Sequence, residues 1–391
     1  MKIEVIKIQD LPRFSPQDNL TYVFLEGDDL EDLTDPSGGC YPEGSAMCGS
    51  GYRIRSDKFI PVDSGGWVEL VDLKAGVMVS GKLLNKTICR IPKGIDPSVW
   101  VSAWLRHKCI GVYRAAGTHA QGTLPPRPPT TLLEQFRTCL VQLGYNPKMS
   151  ILTPTFNRHS FLPRLMECVR AQETKARYEW CILDDSPEPL SPDLLRTLRE
   201  RSGVSTYYVW LPAKIPIGNK RNILSSMAAG GACVNFDDDD FHHPERIKHS
   251  LFRMDQKKAQ LVGSSRCLLY LKGVIYQLRG FGPNHSTGGL MAFTREYARS
   301  HTFGEDIPNA EESEFTNTFQ NPMSQLDPNK VILIMSHSRN TYDKTSYVAR
   351  SLGKTLDATK LRIANYTGNK KLRRLFEDAF RAEDPAAKGK P

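Results

Sequence analysis

Residues 232 to 248 read ACVNFDDDDFHHPERIK, and the fold of the chain can be worked out from this stretch. The apolar run Ala232 to Phe236 predicts a short buried strand, and four consecutive aspartates follow it directly. Adjacent carboxylates repel one another, and they cannot be desolvated together without counter-ions. We therefore expect cationic groups to stand opposite Asp237 to Asp240.

The acidic run ends an alternating series of strands and amphipathic helices. Apolar segments predict strands at residues 149–156, 178–185, 204–211 and 232–236, with a helix between each strand and the next. This order is typical of an α/β fold with a mainly parallel sheet, whose ligands bind beyond the carboxyl ends of the strands. The polar residues at those ends should therefore meet in one cleft. They are Thr155, Asn157 and Arg158 after the first strand, Asp184 and Asp185 after the second, and Asp237 to Asp240 after the fourth.

The sequence contains neither of the common phosphate-binding glycine loops. The patterns GxxxxGK[ST] and GxGxxG do not follow any predicted strand, which argues against P-loop and dinucleotide-binding proteins. Aspartate oxygens bind Mg²⁺ or Mn²⁺, and phosphate oxygens can complete the octahedral coordination of such an ion. The four aspartates can therefore hold a diphosphate through a divalent metal.

Four segments, in this order along the chain, resemble glycosyltransferase family 2. They are SILTPTFNR at 150–158, EWCILDDSP at 179–187, GNKRN at 218–222 and NFDDDDFHHPERI at 235–247. A fifth, EESEF at 311–315, stands where the family usually carries Glu-Asp followed by an acidic and an apolar residue. The resemblance covers roughly residues 147–340. It implies a GT-A fold with a mixed, mainly parallel sheet, and transfer of a hexosyl or pentosyl group from a nucleotide diphosphate, with a UDP-sugar as the expected donor.

The resemblance also implies roles for individual residues in binding the donor. The residues implied to contact its nucleotide or sugar are Thr153, Pro154, Asn157, Arg158, Asp185, Gly218, Arg221, Asn222, Asp237 and Asp238. Of these, Asp185 would accept a hydrogen bond from the base and Asp238 would face the ribose or the donor sugar. Asp237 and Asp239 have the Asp-x-Asp spacing of the family, so Asp239 is the expected metal ligand, with Asp237 and His337 as further candidates.

The fifth segment is implied to supply the general base of an inverting displacement. We expect Glu312 to take the proton of the acceptor hydroxyl, and a helix beginning here would help to keep it ionised. Two departures from the family pattern qualify this transfer of roles. Lys220 stands where a small residue is common, and Glu311-Glu312 replaces Glu-Asp. The base therefore stays open between Glu311 and Glu312.

The remainder of the chain predicts further domains and an uneven distribution of charge. We expect a β-rich module at 1–122, a proline-rich linker and helix at 123–146, the GT-A domain at 147–340 and a basic helical extension at 341–391. Residues 1–145 hold 16 basic and 16 acidic side chains, so the net charge of +9 lies entirely beyond them. This excess favours phosphate-rich partners, and the alternative is a solvated basic face.

The predicted function is a metal-dependent, inverting glycosyltransferase with Mn²⁺ or Mg²⁺ as cofactor. The expected acceptor is a glycan or a lipid-linked saccharide, and a hydroxylated base in DNA is the alternative. A nucleotidyltransferase and a noncatalytic sugar-nucleotide-binding module are two further classes, although the first strand lacks the LxxGxGxR segment of the former. No apolar stretch is long enough to span a membrane, so we expect a cytoplasmic protein. An apolar face on KKLRRLFEDAF, residues 370–380, leaves attachment to a membrane surface as an alternative.

Overall fold

The structure, a computed structural model, describes most of residues 130–383 and short segments before them. The described residues are 2–7, 20–25, 59–62, 75–80, 103, 112–115 and 130–383, without 212–213, 306, 308–309, 338–339 and 341–342. They fall into two compact units. The first comprises residues 1–146, 183–189 and 207–213, and the second comprises 147–182, 190–206 and 214–391. The acidic run belongs to the second unit.

The first unit contains a five-stranded sheet, in the part of the chain where the sequence predicts a β-rich module. Its strands are β1 (Lys2–Lys7), β2 (Leu20–Leu25), β3 (Phe59–Val62), β4 (Ala75–Ser80) and β5 (Val112–Ala115), in the order β1-β2-β4-β5-β3. β1 and β2 are parallel, and the other pairs are antiparallel. Helix α1 (Thr130–Gln142) follows in the predicted linker region, whose proline-rich part at 120–129 lies outside the described residues.

A seven-stranded mixed sheet carries the predicted strand ends. Its strands are β6 (Met149–Thr155), β7 (Tyr178–Asp184), β8 (Ser205–Trp210), β9 (Ala232–Asn235), β11 (Leu261–Gly263), β14 (Ala292–Thr294) and β15 (Ser324–Gln325). Their order is β15-β11-β14-β9-β6-β7-β8. β6 and β9 are parallel, whereas β14 runs antiparallel to both β9 and β11. The four strands predicted from apolar runs are present, and the sheet is mixed as the family resemblance implied.

A buried carboxylate sets the start of β9 against β6 and β7. Glu179 accepts hydrogen bonds from the Ser150 hydroxyl at 2.5 Å and from the Ala229 amide at 2.7 Å. A Cβ atom on Gly230 would lie 2.7 Å from the Ser150 backbone nitrogen, so no larger residue fits this turn unchanged. The strand that leads into the acidic run therefore begins at a defined position.

The helices between the strands follow the predicted pattern. They are α2 (Leu162–Arg170), α3 (Pro192–Arg201), α4 (Ile217–Met227), α5 (Arg246–Lys257) and α6 (Arg295–Ser300). In α2 the side chains Leu162, Leu165, Met166 and Val169 are all buried, as their spacing predicts. α4 begins after Pro216, and α5 ends at Lys257, where Lys258 caps it with a left-handed φ of 50°.

A second sheet brings the segment after residue 335 to the acidic run. Its strands are β10 (Phe241–His242), β12 (Leu268–Leu271), β13 (Val274–Leu278), β16 (Ile332–Met335) and β17 (Leu356–Ala358), in the order β10-β16-β12-β13-β17. β10 directly follows the four aspartates and pairs antiparallel with β16, with Phe241 opposite Leu333. The residues after β16 therefore lie beside the aspartates before β10.

The C-terminal extension packs against its own domain. The one-turn helix α7 (Glu312–Phe315) precedes the extension. The extension itself forms α8 (Lys344–Ser351), α9 (Ile363–Tyr366) and α10 (Lys370–Glu383). Leu372 and Phe376 of α10 are buried, and the Phe376 ring lies 4.7 Å from that of Phe241. The side chains of Ala379 and Phe380 lie outside the described residues. Among the helices of the described part of the chain, none combines the length and apolarity that crossing a bilayer requires.

Candidate active site

Asp237, the first aspartate of the run, is paired with a buried arginine of α4. Arg221 places Nη1 3.1 Å from Oδ1 of Asp237 and Nη2 3.4 Å from its Oδ2. The same guanidinium donates from Nε to Oε1 of Glu311 at 2.8 Å. Burial alone would lower the pKa of Arg221. The negative charges and hydrogen bonds of Asp237 and Glu311 outweigh this effect and raise the pKa above its usual range. One cation therefore joins the acidic run to the glutamate pair.

Asp238 points into the protein and is held by the end of β6. The Thr155 hydroxyl donates to its Oδ2 at 2.6 Å, and Nη1 of Arg158 donates to its Oδ1 at 3.1 Å. Burial and the charge of Asp239 raise the pKa of Asp238 to about 7, against these two donors. Thr155, the last residue of β6, thus contacts the run.

Three polar side chains contact a single oxygen of Asp239. Its Oδ2 lies 3.1 Å from Nη1 of Arg158, 3.0 Å from Nε2 of His337 and 3.1 Å from Nδ2 of Asn340. Burial opposes ionisation of Asp239, but the hydrogen bond with His337 and the charges of Lys344 and Arg158 hold its pKa below the usual range. Asp239 therefore stays ionised more readily than Asp238.

Asp240 completes the run in a structural position. Its Oδ1 accepts from the backbone amide of Met335 at 2.9 Å, which ties the run to the end of β16. Burial and the charge of Asp239 raise the pKa of Asp240 well above its ordinary value. The cationic groups expected opposite the four aspartates are thus Arg158 and Arg221. Lys344 acts on Asp239 and Asp240 through its charge.

A buried arginine behind the run fixes the backbone around Asp237. Arg246 donates from Nη2 to the Gly289 carbonyl at 2.7 Å, and its Nη1 lies 2.6 Å from Nδ1 of His242. Nε2 of His242 lies 2.9 Å from the Asp237 carbonyl, and the imidazole stacks on Phe236 at 4.0 Å. Burial lowers the pKa of His242 well below its ordinary value and that of Arg246 to about 10.

Two adjacent glycines let the chain pass close to both acidic groups. A Cβ atom on Gly288 would lie 2.8 Å from Oε1 of Glu311, and one on Gly289 would lie 2.4 Å from Oδ2 of Asp237. The Gly288 carbonyl accepts from Nδ2 of Asn235 at 2.7 Å. The turn at 288–289 is therefore fitted between the acidic run and the glutamate pair.

Both glutamates of the fifth segment are buried, at 7% and 8% exposure. Glu311 is held by Arg221, whereas burial and the charge of Glu311 raise the pKa of Glu312 to about 7. The expected helix is a single turn, Glu312–Phe315, because residues 317–319 all have positive φ. The helix start was expected to keep Glu312 ionised. Burial instead has the larger effect and favours the protonated form.

The other expected donor residues lie in several different environments. Thr153 accepts from Nε1 of Trp180 at 2.9 Å, so its side chain faces the core, and Pro154 is buried within β6. Asn157 is exposed with a φ of 53°. Asn222 binds the backbone of Phe303. Roles for these residues in binding a donor stay predictions.

Gly218, Lys220 and Asp185 complete the set of residues considered from the sequence. A Cβ on Gly218 would lie 1.8 Å from the Gly304 carbonyl oxygen, so close packing of α4 requires glycine there. Nζ of Lys220 lies 3.3 Å from the carbonyl of Thr155. Asp185 is buried directly after β7, in the first compact unit, and its contact with a base stays a prediction.

Several contributors to the site were not expected from the sequence, among them Asn340, Arg246 and Asn235. Asn340 reaches Asp239 across 101 positions, and Arg246 and Asn235 hold the turn at 288–289. Asn340 stands three residues after His337, which is the one local clue to it. The other two are found only when the strands are assembled.

Asp239 and His337 can supply two ligands of a divalent ion. Their Oδ2 and Nε2 atoms are 3.0 Å apart, and adjacent ligands on an ion with bonds of about 2.1 Å lie about 3 Å apart. Nδ2 of Asn340 lies 3.1 Å from Oδ2 and 2.9 Å from Nε2, so this amide borders both atoms. In the described part of the chain, no three His, Cys, Asp or Glu side chains are grouped as a metal site, so the remaining ligands would come from a bound phosphate and water.

Part of the sequence matches a known enzyme family. Residues 150–303 match the sequence model of glycosyl transferase family 2. The matched part includes β6 to β9, the acidic run and the glycine turn, while Glu311, Glu312 and His337 follow it. This segment matches glycosyltransferase family 2, as the four ordered motifs indicated, and GT-A is the fold that this resemblance implies.

More distant similarities are found among solved structures, and no curated protein sequence matches the chain significantly. The structure of S. aureus TarS 1–349 in complex with UDP-GlcNAc is 18% identical, with a TM-score of 0.40 over 51% of this chain and 61% of that one. Mannosyltransferase PcManGT from Pyrobaculum calidifontis, in complex with GDP-Man and Mn²⁺, is 15% identical, with a TM-score of 0.41 over 53% of this chain and 61% of that one. The chain thus spans about three fifths of the length of either protein, and the family assignment rests on the sequence match.

Proposed function

We propose that the domain is a metal-dependent, inverting glycosyltransferase that moves a sugar from a nucleotide diphosphate to a hydroxyl group. The observation that carries the proposal is the position of Arg221, 3.1 Å from Asp237 and 2.8 Å from Glu311. Through this guanidinium the acidic run and the glutamate pair form one cluster. A transferase needs both parts, because the leaving diphosphate must be stabilised while the acceptor loses a proton.

Asp239 and His337 are the residues that would hold Mn²⁺ or Mg²⁺ in this site. When bound, the metal offsets the negative charge that develops on the leaving diphosphate. Arg221 and Arg158 add fixed positive charge beside the same position. Asp237 is held by Arg221, so its carboxylate positions this arginine in addition to any contact with the donor.

Glu312 is proposed as the general base. A base works best when its pKa lies near the operating pH, and the pKa of Glu312 is raised to about 7. Glu311 is engaged by Arg221 and borders Gly288, so it is suited to positioning. A base on the acceptor side and a metal on the diphosphate side would give a single displacement with inversion. The assignment of the base to Glu312 follows from this division of roles.

The proposed donor is a UDP-sugar, and the proposed acceptor is a glycan or a lipid-linked saccharide. The charge of the chain favours one alternative, a hydroxylated base in DNA, because the whole net charge of +9 lies beyond residue 145. Binding to duplex DNA would weaken steeply as salt rises, since each phosphate contact releases counter-ions. If no salt-sensitive binding to duplex DNA is detected near physiological ionic strength, this alternative is wrong.

The proposed function is tested by incubating the purified chain with a panel of nucleotide sugars, with Mn²⁺ or with a chelator. We expect metal-dependent release of a nucleoside diphosphate from one donor, and an acceptor screen then uses that donor. Where Asp239→Asn is assayed beside the parent, Asp357→Asn is its matched control, because Asp357 is an exposed aspartate paired with Arg279. Release of pyrophosphate from nucleoside triphosphates instead would indicate a nucleotidyltransferase, and binding of a donor without any turnover would indicate a noncatalytic module.

A further inference from the structure

We propose that Arg158 competes with the divalent metal for Asp239, and that it moves to the diphosphate of the donor when the metal takes this carboxylate. The inference rests on the proposed function, because it requires Asp239 to be a metal ligand. It assigns Arg158 a role at the diphosphate, whereas the sequence resemblance implied a role in the nucleotide pocket.

The contacts of Arg158 place it in the position of a competing cation. Its Nη1 lies 3.1 Å from Oδ1 of Asp238 and 3.1 Å from Oδ2 of Asp239. The guanidinium keeps its charge at all accessible pH values, so it repels any divalent ion that approaches the same oxygen. A metal on Oδ2 of Asp239 therefore binds at the expense of the ion pair with Arg158.

The other donors to Asp239 do not have to leave in the same way. His337 lies 3.0 Å from Oδ2 and would itself become a ligand of the metal. Asn340, which lies 3.1 Å from the same oxygen, is uncharged, so it does not repel a divalent ion as the guanidinium does. Arg158 is thus the donor on this oxygen whose displacement metal binding requires.

Two features of the surroundings of Arg158 favour this displacement. Asp238 keeps the hydrogen bond of the Thr155 hydroxyl, at 2.6 Å, when the guanidinium leaves. The Arg158 side chain is 18% exposed, and it follows Asn157, which is exposed. A guanidinium binds phosphate oxygens in a two-pronged manner, so the diphosphate offers a new partner. Metal and nucleotide should consequently bind cooperatively. The metal releases Arg158 from Asp239, and the diphosphate gives the released guanidinium a new partner.

The test measures Mn²⁺ binding directly, by the electron paramagnetic resonance signal of free Mn²⁺, with and without UDP. Arg158→Gln should bind Mn²⁺ alone at least about 10-fold more tightly than the parent, since one adjacent charge shifts such equilibria by roughly 1 to 3 log units. The enhancement of Mn²⁺ affinity by UDP should shrink in the same variant. Arg164→Gln is the matched control, because this substitution also removes one positive charge. Arg164 stacks on the ring of Phe161 at 4.5 Å.

A second variant and a fold check complete the test. Arg158→Lys keeps the charge, so its affinity for Mn²⁺ alone should stay near that of the parent, and circular dichroism verifies that all variants are folded. If Arg158→Gln binds Mn²⁺ no more tightly than Arg164→Gln, the competition is wrong, although the proposed function stands. If neither the parent nor Arg158→Gln binds Mn²⁺ even with UDP, the proposed metal site and this inference both fail.

Discussion

At the scale of single residues, the four aspartates differ in what their carboxylates can do. Asp239 has a lowered pKa and faces His337, whereas burial raises the pKa of Asp240, whose oxygen accepts from the Met335 amide. Adjacent positions in a turn point in different directions, so each carboxylate meets different partners. A run of identical residues can thereby combine a ligand with structural contacts.

The first prediction concerns catalysis by Glu312. Glu312→Gln should bind donor and metal as the parent does but transfer sugar roughly 10²- to 10⁴-fold more slowly, the usual effect of removing a general base. In the parent, kcat/KM should fall about tenfold per pH unit below pH 7, because protonation of Glu312, with its pKa near 7, removes the base. Glu314→Gln is the control, since Glu314 is exposed on the same helical turn. Near-parental transfer by Glu312→Gln but not by Glu311→Gln would move the base to Glu311.

The second prediction concerns stability and follows from the same pKa. A carboxyl group whose pKa rises from 4.5 to about 7 on folding stabilises the fold at low pH, and this contribution is lost as the pH rises through 7. Glu312→Gln should therefore gain about 3 kcal/mol relative to the parent between pH 4.5 and pH 8. Urea unfolding at a series of pH values measures the difference. A difference that is constant with pH would show that Glu312 is not buried in a charge-disfavouring environment.

At the scale of elements, the site depends on a tight turn between two strands. A Cβ on Gly289 would lie 2.4 Å from Asp237, whereas a Cβ on Gly231 would have its nearest neighbour at 3.8 Å. Gly289→Ala should therefore displace the pair of Asp237 and Arg221 and lower kcat/KM by roughly 10²-fold, as misplacement by about 1 Å does. Gly231→Ala is the matched control and should stay near parental activity. Equal activities of the two variants would show that the turn does not position Asp237.

The elements differ in how well the sequence predicts them. Periodicity identifies α2 and the strands β6 to β9, because each is defined by its own residues. The pairing of β10 with β16 has no local signature, yet it brings His337 and Asn340 to Asp239 across about 100 positions. α7 was expected to be longer, since the sequence NAEESEFTNTF does not reveal the positive φ angles at 317–319. Family resemblance supplied His337, whereas Asn340 and Arg246 depend on tertiary packing alone.

At the scale of the whole molecule, the C-terminal extension contributes to the stability of the catalytic unit. Phe376 is 2% exposed, and its ring lies 4.7 Å from that of Phe241, next to the acidic run. Phe376→Ala should lower the free energy of unfolding by about 3 to 5 kcal/mol. Phe252→Ala is the control, because Phe252 is 57% exposed and should change the free energy of unfolding little. Similar losses in both variants would show that α10 is not docked through Phe376.

The central claim is that Asp239 holds a metal that in turn holds the diphosphate of the donor. Its most direct test is calorimetry of UDP binding, with and without Mn²⁺, to the parent and to Asp239→Asn, which keeps the shape of the side chain and removes its charge. We predict that Mn²⁺ strengthens UDP binding to the parent and has no such effect on the variant. Equal enhancement by Mn²⁺ in both proteins, with unchanged turnover of the donor, would contradict the account.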